Sequence, residues 1–224
     1  MLLLALDTST SAITVALYDG SAVLAEANTL DPRGHAEWLA PGIRSVLDHA
    51  GATPTELTDI VCGLGPGPFT GLRVGIVTAR VLALATGARL HGVYSLDALA
   101  LDAGPGERLV ATDARRREVY WARYAVRVAS PGGPAEVVPL GAPAVERPAE
   151  LDEQLRALPT AGRGPTLYPE LFPHPEGPLD VSAAALARLA AARLAAGNPL
   201  SGTEPLYLRR PDAAPHVVAK SALG

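Results

Sequence analysis

The sequence is short of lysine and cysteine, and both shortages exclude chemistry. Lys220 is the only lysine among the 224 residues, so arginine supplies nearly all of the positive charge. No lysine is available in the middle of the chain to bind a phosphate or to form a Schiff base. The single cysteine, Cys62, excludes an internal disulfide and a metal site built from cysteines, and it fits a reducing compartment. The net charge of -4 argues against a chain that binds nucleic acid by itself, because phosphate binding requires clustered positive charge.

Little in the sequence resembles an export or membrane segment. The first residues lack the basic lead of a secretory signal. The longest apolar run, 74–85, is interrupted by Arg80 and is shorter than a bilayer span. We therefore expect a cytoplasmic protein that does not contact a membrane.

What the sequence does have is a glycine-rich stretch, CGLGPGPFTGLRVG at 62–75, placed just before a predicted helix. A loop of this kind could hold a phosphate, but no lysine follows it as a Walker loop requires, and the pattern G-x-G-x-x-G started at Gly65 ends on Thr70. Pro66 and Pro68 also have no backbone N–H to donate. These facts favour a rigid turn with Thr70 as the helix N-cap over a phosphate site.

Other catalytic patterns are absent from the sequence as well. The histidines show no partner at metal-ligand spacing, and neither H-E-x-x-H nor G-x-S-x-G occurs. Asp7 and Asp113 each end a predicted strand, where a carboxylate could bind a metal or simply stabilise a turn. Both interpretations stay open for these two aspartates.

The pattern of strands and helices in the first half begins again in the second half. The first half has the order βββαβα, with strands predicted at 2–6, 13–18, 22–27 and 60–63 and helices at 35–50 and about 70–86. The second half repeats much of it, with strands at 108–113, 118–126 and 136–140 and helices at 148–158 and 180–196. This repetition predicts a duplicated α/β protein with two lobes, 1–103 and 104–224.

The first predicted helix has a surface strip that is separate from its core stripe. On a helical wheel the strip consists of Trp38, Gly42, Ser45 and His49. A tryptophan among small and amphipathic residues is typical of an interface anchor. The alternative is a tryptophan half-covered by a neighbouring loop.

The second predicted helix is apolar on two sides. One side is bulky, with Val74, Val77, Val81 and Leu84, and the other is a row of small residues, with Gly71, Gly75, Ala79 and Ala83. A helix of this kind is covered on two sides, so we expect its own sheet on one and a partner subunit on the other. Small residues permit close approach of a partner backbone. The interface predicted on this helix comprises Gly71, Leu72, Gly75, Ile76 and Ala79.

Three successive arginines, Arg115, Arg116 and Arg117, follow Asp113 in the stretch DARRRE. The simplest interpretation is a solvated turn, and the alternative is a contact with RNA or with a partner protein. An RNA contact would use the guanidinium groups to neutralise phosphates.

Five motifs together resemble the TsaB (YeaZ) family. They are LALDTST near the start, HAEWLAP at 35–41, LGPGPFTGLRVG at 64–75, DARRREVYWARY at 113–124 and EPLYLRRPD at 204–212. The resemblance implies an actin/Hsp70-like fold of two RNase-H-like lobes. It also implies a non-catalytic subunit, without cofactor, that pairs with a TsaD-like enzyme and a TsaE-like ATPase to make N6-threonylcarbamoyladenosine in tRNA. Family members form homodimers through the same surface of the N-terminal lobe, and tRNA is met only within the complex.

The enzyme relative in this superfamily carries an H-x-x-x-H metal pair on the first helix. The corresponding stretch here begins with His35 and ends with Leu39, so the resemblance implies that metal binding by two histidines is lost. Two other functions stay open beside the scaffold subunit. One is an ATP-dependent phosphotransferase of the same fold, with Asp7 at the metal and the 65–67 loop at the phosphates, and the other is a metal-dependent peptidase.

Overall fold

The computed structural model describes residues 1–32, 34–128, 135–198 and 200–209. Its first half contains β1 (Leu3–Asp7), β2 (Ala12–Tyr18), β3 (Val23–Leu30), α1 (His35–Ala50), β4 (Asp59–Gly63), α2 (Phe69–Thr86), β5 (Arg89–Val93) and α3 (Ser95–Asp102). Its second half contains β6 (Gly106–Asp113), β7 (Val119–Val128), β8 (Ala135–Pro139), β9 (Ala144–Glu146), α4 (Glu153–Arg156), β10 (Thr160–Ala161), α5 (Gly164–Leu167) and α6 (Ala183–Ala195).

Two sheets share one strand order. The first sheet runs β3-β2-β1-β4-β5, with the first three strands antiparallel and β4 and β5 parallel to β1. The second sheet runs β8-β7-β6-β10, with β10 parallel to β6, and β9 also pairs with β7. When β6, β7, β8 and β10 are matched to β1, β2, β3 and β4, the order and the directions agree. The predicted duplicated RNase-H-like fold of the actin/Hsp70-like class is confirmed.

Local sequence explains the elements that were predicted well. The run LLALD is buried at every position, as expected for a central strand. The helix predicted at 35–50 is α1, and it ends at Gly51, which adopts the left-handed conformation that favours glycine. The Asp19–Gly20 turn joins β2 to β3, with the Asp19 carboxylate accepting hydrogen bonds from the amides of Ser21 and Ala22.

The second half differs from the sequence-based prediction in three places, one of which is the unpredicted strand β9. The helix predicted at 148–158 is wrong: a 3-10 turn, Pro148–Glu150, is followed by the single turn of α4, which Asp152 caps through the Gln154 amide. Between them Leu151 has an extended backbone, with ψ at 145°, and its side chain is buried in a small core. The unassigned stretch 159–179 contains β10 and α5, and the first half has β5 and α3 beyond the predicted elements.

The two halves share a hydrophobic core. On one face of the first sheet, α1 and α2 cover apolar residues such as Leu4 and Leu6. On the other face, α6 packs against β1 and β2 and against α3, and its cluster includes Ala5, Leu99 and Val110 from both halves. The division into lobes 1–103 and 104–224 falls in the link between α3 and β6, and it stays a prediction.

Among the described residues, one helix is long and apolar enough to cross a membrane by length and composition alone, contrary to the expectation from sequence. This helix is α2, with 18 residues. A core helix of a globular protein passes the same test. Here α2 packs against β4, β1 and β5, and it carries Arg73 and Arg80.

Candidate functional site

Asp7, the carboxylate at the end of β1, is fully buried inside the first lobe. One of its oxygens accepts hydrogen bonds from the amide and hydroxyl of Ser9, each at 2.7 Å, and the other accepts one from the Ser95 hydroxyl at 2.5 Å. Burial raises the pKa of Asp7, and the hydrogen bonds from Ser95 and Ser9 offset this only in part. Its oxygens are thus directed at the protein's own hydroxyl and amide groups.

The glycine-rich loop packs closely on the turn that follows β1. A methyl group added at Gly67 would come within 3.0 Å of the Ser9 backbone, and one at Gly71 would come as close to the Thr8 carbonyl. The Thr8 hydroxyl also donates a hydrogen bond to the Gly71 carbonyl at 2.7 Å. The glycines permit this close approach of two backbone segments, which agrees with the rigid-turn interpretation. Thr70 is not the N-cap: Pro68 occupies that position, without a side-chain hydrogen bond.

The small-residue side of α2 faces inward, so its predicted exposure to a partner is corrected. The reason is space: a methyl group at Gly75 would come within 3.0 Å of the Thr8 hydroxyl oxygen, so only glycine lets α2 lie this close to the turn after β1. The five residues concerned are buried within the chain itself: Gly71, Leu72, Gly75, Ile76 and Ala79.

Most of the bulky side of α2 is exposed, although Val74 is half-buried against the core. Val77 is 54% exposed, Val81 is 61% exposed and Leu84 is 88% exposed. Together they form a row of apolar side chains along one surface helix, which we call the apolar row. Contiguous apolar residues on a surface are typical of a protein–protein contact.

The strip predicted on α1 lies at the surface for the most part. Trp38 is 46% exposed, and its indole N–H donates a hydrogen bond to Asp31 at 3.3 Å. Ser45 and His49 are exposed, whereas Gly42 is half-buried, and a methyl group there would lie 3.4 Å from Val15. The interface role of this strip stays a prediction.

Arg115, Arg116 and Arg117 form an exposed turn between β6 and β7, which we call the arginine turn. All three have positive φ angles, of 62°, 54° and 62°. This conformation is strained for side chains other than glycine, by about 1 kcal/mol or more for each residue. The Asp113 carboxylate accepts a hydrogen bond from the Arg115 amide at 2.7 Å and pairs with its guanidinium at 3.1 Å. The Glu118 amide donates to the Arg115 carbonyl at 2.9 Å.

A cleft of about 390 Å³ lies between the two halves. It includes His35, whose ring nitrogen lies 3.0 Å from the Thr10 carbonyl, and Leu39 four residues later is buried in the core. Asp180 forms a two-pronged pair with Arg163. No group of three potential metal-ligating side chains was found in the described residues. The cleft is lined by Ser9, Thr10, Ser11, Pro32, His35, Ala36, Pro68, Thr70, Gly71, Val74, Thr112, Asp113, Arg115, Arg163, Leu179 and Asp180.

The two matching sheets, with a cleft between the halves, define a duplicated RNase-H-like protein. A family model described as "TsaD: tRNA N6-adenosine threonylcarbamoyltransferase" matches residues 28–169, more than half of the chain. YeaZ from Pseudomonas aeruginosa superposes with a TM-score of 0.76 at 32% identity, over 92% of this chain and 99% of that one. The chain belongs to the TsaB (YeaZ) family.

Three sequence relatives show how much of the chain is matched in each case. A Mycobacterium tuberculosis protein is 42% identical over 96% of this chain and 95% of its own length. The Escherichia coli protein named tRNA threonylcarbamoyladenosine biosynthesis protein TsaB is 40% identical, over 55% of this chain and 55% of its own length. The chain also spans only 56% of a Mycobacterium leprae relative.

Some functional features could not be found from sequence. Asp7 was recognised as a strand-end carboxylate, but its partner Ser95 lies 88 residues away on a helix that the sequence pattern did not reveal. The apolar row was recognised as the bulky side of α2, although the sequence did not show that it faces outward. The positive φ angles of the arginine turn could not be predicted, because glycine is the residue that usually indicates a positive φ and the turn consists of arginines.

Proposed function

We propose that this chain is a non-catalytic scaffold or activator subunit of the complex that makes N6-threonylcarbamoyladenosine in tRNA. It pairs with a TsaD-like enzyme and works with a TsaE-like ATPase in the cytoplasm. The relatives named TsaB support the pathway. The main support for the scaffold role is the apolar row on α2, because contiguous exposed apolar side chains on a well-packed helix are typical of a surface that binds another protein.

The docking surface that we propose combines the apolar row with the neighbouring strip of α1. Trp38 supplies a large side chain of the type that dominates interface energetics. The buried small residues of α2 contribute indirectly, since they set how α2 sits on the sheet. In the absence of the enzyme, the same surface pairs two copies of this chain.

The absence of catalysis is supported by the environment of two side chains. Asp7 is enclosed by Ser9 and Ser95, and His35 has a core leucine where a second histidine would be needed. We therefore expect the isolated chain neither to bind nor to hydrolyse ATP appreciably. Micromolar ATP binding in calorimetry, with turnover lost in Asp7→Asn, would favour the phosphotransferase instead.

Reconstitution of the complex tests the scaffold role. The tRNA modification assay is run with the host's TsaD-like and TsaE-like proteins, with and without this chain. Leu84→Ser removes the most exposed apolar side chain of the row and should weaken pairing with the enzyme about tenfold or more. Leu167→Ser, at an exposed leucine on α5 in the other half, is the matched control and should leave pairing unchanged.

Two outcomes of this experiment contradict the proposal. Modification at full rate without the chain removes the need for an activator. Normal pairing by Leu84→Ser and Trp38→Ala, both folded by circular dichroism, places the docking surface elsewhere. Sedimentation of the same variants without the enzyme tests the homodimer.

The arginine turn is proposed as the place where this chain contacts tRNA within the complex. Its three side chains are exposed, and Arg115 also lines the rim of the cleft. Replacing Arg115, Arg116 and Arg117 with alanine should weaken tRNA binding by the complex and flatten its salt dependence. If the salt dependence of tRNA binding is unchanged, the three arginines form a solvated turn and do not contact tRNA.

A further inference from the structure

The segment 200–209, which we call the strap, connects the two surfaces proposed above. It starts at the edge of the first sheet, where the Gly92 amide donates a hydrogen bond to the Ser201 carbonyl at 3.0 Å. It then passes the glycine-rich loop, where the Leu206 amide donates to the Leu64 carbonyl at 2.9 Å. Its last described residue, Arg209, reaches the arginine turn.

Two arginines of α2 attach the strap to that helix. The Arg80 guanidinium donates to the hydroxyl and carbonyl oxygens of Thr203, at 2.9 and 2.8 Å, and pairs with Glu204 at 3.1 Å. Arg73 donates to the Tyr207 hydroxyl at 3.2 Å and lies over its ring. The two charged residues of a mostly apolar helix are therefore bound by the strap, beside the apolar row.

Arg209 closes the arginine turn from outside. Its guanidinium pairs with the Glu118 carboxylate and donates to the Arg115 carbonyl at 3.4 Å. The Arg209 and Glu118 side chains are only 18% and 29% exposed, so this pair is less screened by water than a surface ion pair. Both contacts lie at the ends of the strained turn, where a few bonds hold it in place.

We propose that the strap is a positioning element that keeps the arginine turn in its left-handed conformation and links it to α2. Strained residues persist only where the surrounding structure over-determines them. Arg209 supplies part of that restraint from a segment fastened to the helix that carries the docking surface. An effect on RNA binding rests on the proposed tRNA contact. If the turn does contact tRNA, the strap sets the orientation of the three guanidinium groups toward it.

Hydrogen–deuterium exchange on the full chain tests the restraint without RNA. Two amides report on the turn: Ala114, which donates to the Glu118 carbonyl, and Glu118, which donates to the Arg115 carbonyl. Arg209→Ala should raise exchange at both by about tenfold, since a hydrogen bond to a charged group is lost at each end. Arg123→Ala is the matched control: it removes an ion pair with Glu107 in the same hairpin but does not touch the strap, so both amides should be unchanged.

Arg80→Ala tests the link to α2. It should raise exchange at Leu206, within the strap, and also at Ala114 and Glu118. Faster exchange at Leu206 with no change at the turn would overturn the link. Equal exchange in Arg209→Ala and Arg123→Ala would overturn the restraint itself.

The effect on RNA is measured separately, by tRNA titration of the reconstituted complex. Arg209→Ala should lower tRNA affinity several-fold more than Arg123→Ala, which removes the same charge from the β6–β7 hairpin instead of from the strap. If the alanine variant of all three turn arginines binds tRNA normally, the proposed RNA contact is wrong, and the exchange result still decides the strap. If that variant binds tRNA weakly but Arg209→Ala and Arg123→Ala have the same tRNA affinity, the strap does not control how the turn arginines are oriented toward the RNA.

Discussion

Gly75 and Gly42 lie inside helices, where glycine is usually unfavourable, but the structure predicts opposite effects when each is replaced by alanine. Alanine gains up to about 1 kcal/mol over glycine in a helix interior. At Gly42 the new methyl group would meet Val15 at 3.4 Å, which is an ordinary contact. Gly42→Ala should therefore stabilise the fold by up to about 1 kcal/mol.

At Gly75 the same methyl group would be forced against the Thr8 hydroxyl oxygen, closer than 3.0 Å. Overpacking in a closely packed site costs about 1–3 kcal/mol. Moving Thr8 away would also break its hydrogen bond to the Gly71 carbonyl, which is worth about 1 kcal/mol. These losses exceed the gain in helix propensity, so Gly75→Ala should destabilise the protein by about 1–3 kcal/mol.

Thermal and chemical denaturation measure both changes. In a chain of this size each kcal/mol shifts the melting temperature by about 2–4 °C, so the two variants should move in opposite directions by resolvable amounts. Thr8→Ala removes the obstructing oxygen, and the double variant with Gly75→Ala should be less destabilised than the sum of the single variants, with a coupling of about 0.5–3 kcal/mol. A Gly75→Ala protein that melts above the wild type, or an additive double variant, would refute the close-contact argument.

Three further predictions concern charge and backbone conformation. Burial raises the folded-state pKa of Asp7 above its ordinary value of 3.8. The stability that this group contributes therefore falls as the pH rises from near 3.8 through the folded-state pKa. Asp7→Asn should flatten this fall when denaturation is measured as a function of pH, and an unchanged profile would contradict the prediction. For Asp59, burial raises the pKa, but the hydrogen bonds from Arg89, His91 and Thr58 outweigh it and the net shift is downward. The stability that Asp59 contributes is therefore present above the unfolded-state pKa and lost as the pH falls through the folded-state pKa. Asp59→Asn should destabilise the protein by about 2 kcal/mol at neutral pH and by less in acid. Urea denaturation at both pH values measures this difference. Because Arg116 has a φ of 54°, Arg116→Gly should stabilise the fold by about 1 kcal/mol while Arg116→Ala should not, and equal melting temperatures for the two variants would argue against strain in the turn.

The elements set by local patterns were predictable from sequence. The bounds of α1 follow from its apolar spacing and from Gly51, and β1 follows from a short apolar run that ends in Asp7. The repeated order of strands predicted the duplicated fold. The rejection of a Walker loop followed from the missing lysine and from prolines that have no N–H to donate.

Other features depended on contacts between distant residues, which a local pattern does not contain. When a helix is apolar nearly all round, its sequence does not indicate which side faces the core. For α2, the close approach of Thr8 to Gly71 and Gly75 decides which side is buried. The two-residue strand β10 is too short to show a period, and it exists because β6 offers it hydrogen bonds. The wheel placed Trp38 correctly at the surface, because amphipathic spacing does report direction in α1.

The sequence by itself determined the fold class, the main helix of the first lobe and the absence of a mid-chain lysine, because these depend on residue type and spacing along the chain. Only the tertiary structure decided that Asp7 is enclosed by Ser95, that the bulky row of α2 faces outward and that Arg209 reaches the arginine turn. The first and third depend on residues 88 and 94 positions apart in the chain, and the second depends on a choice between two apolar faces of one helix. Packing makes that choice, because one face of α2 fits against the turn after β1 at close range and the other does not.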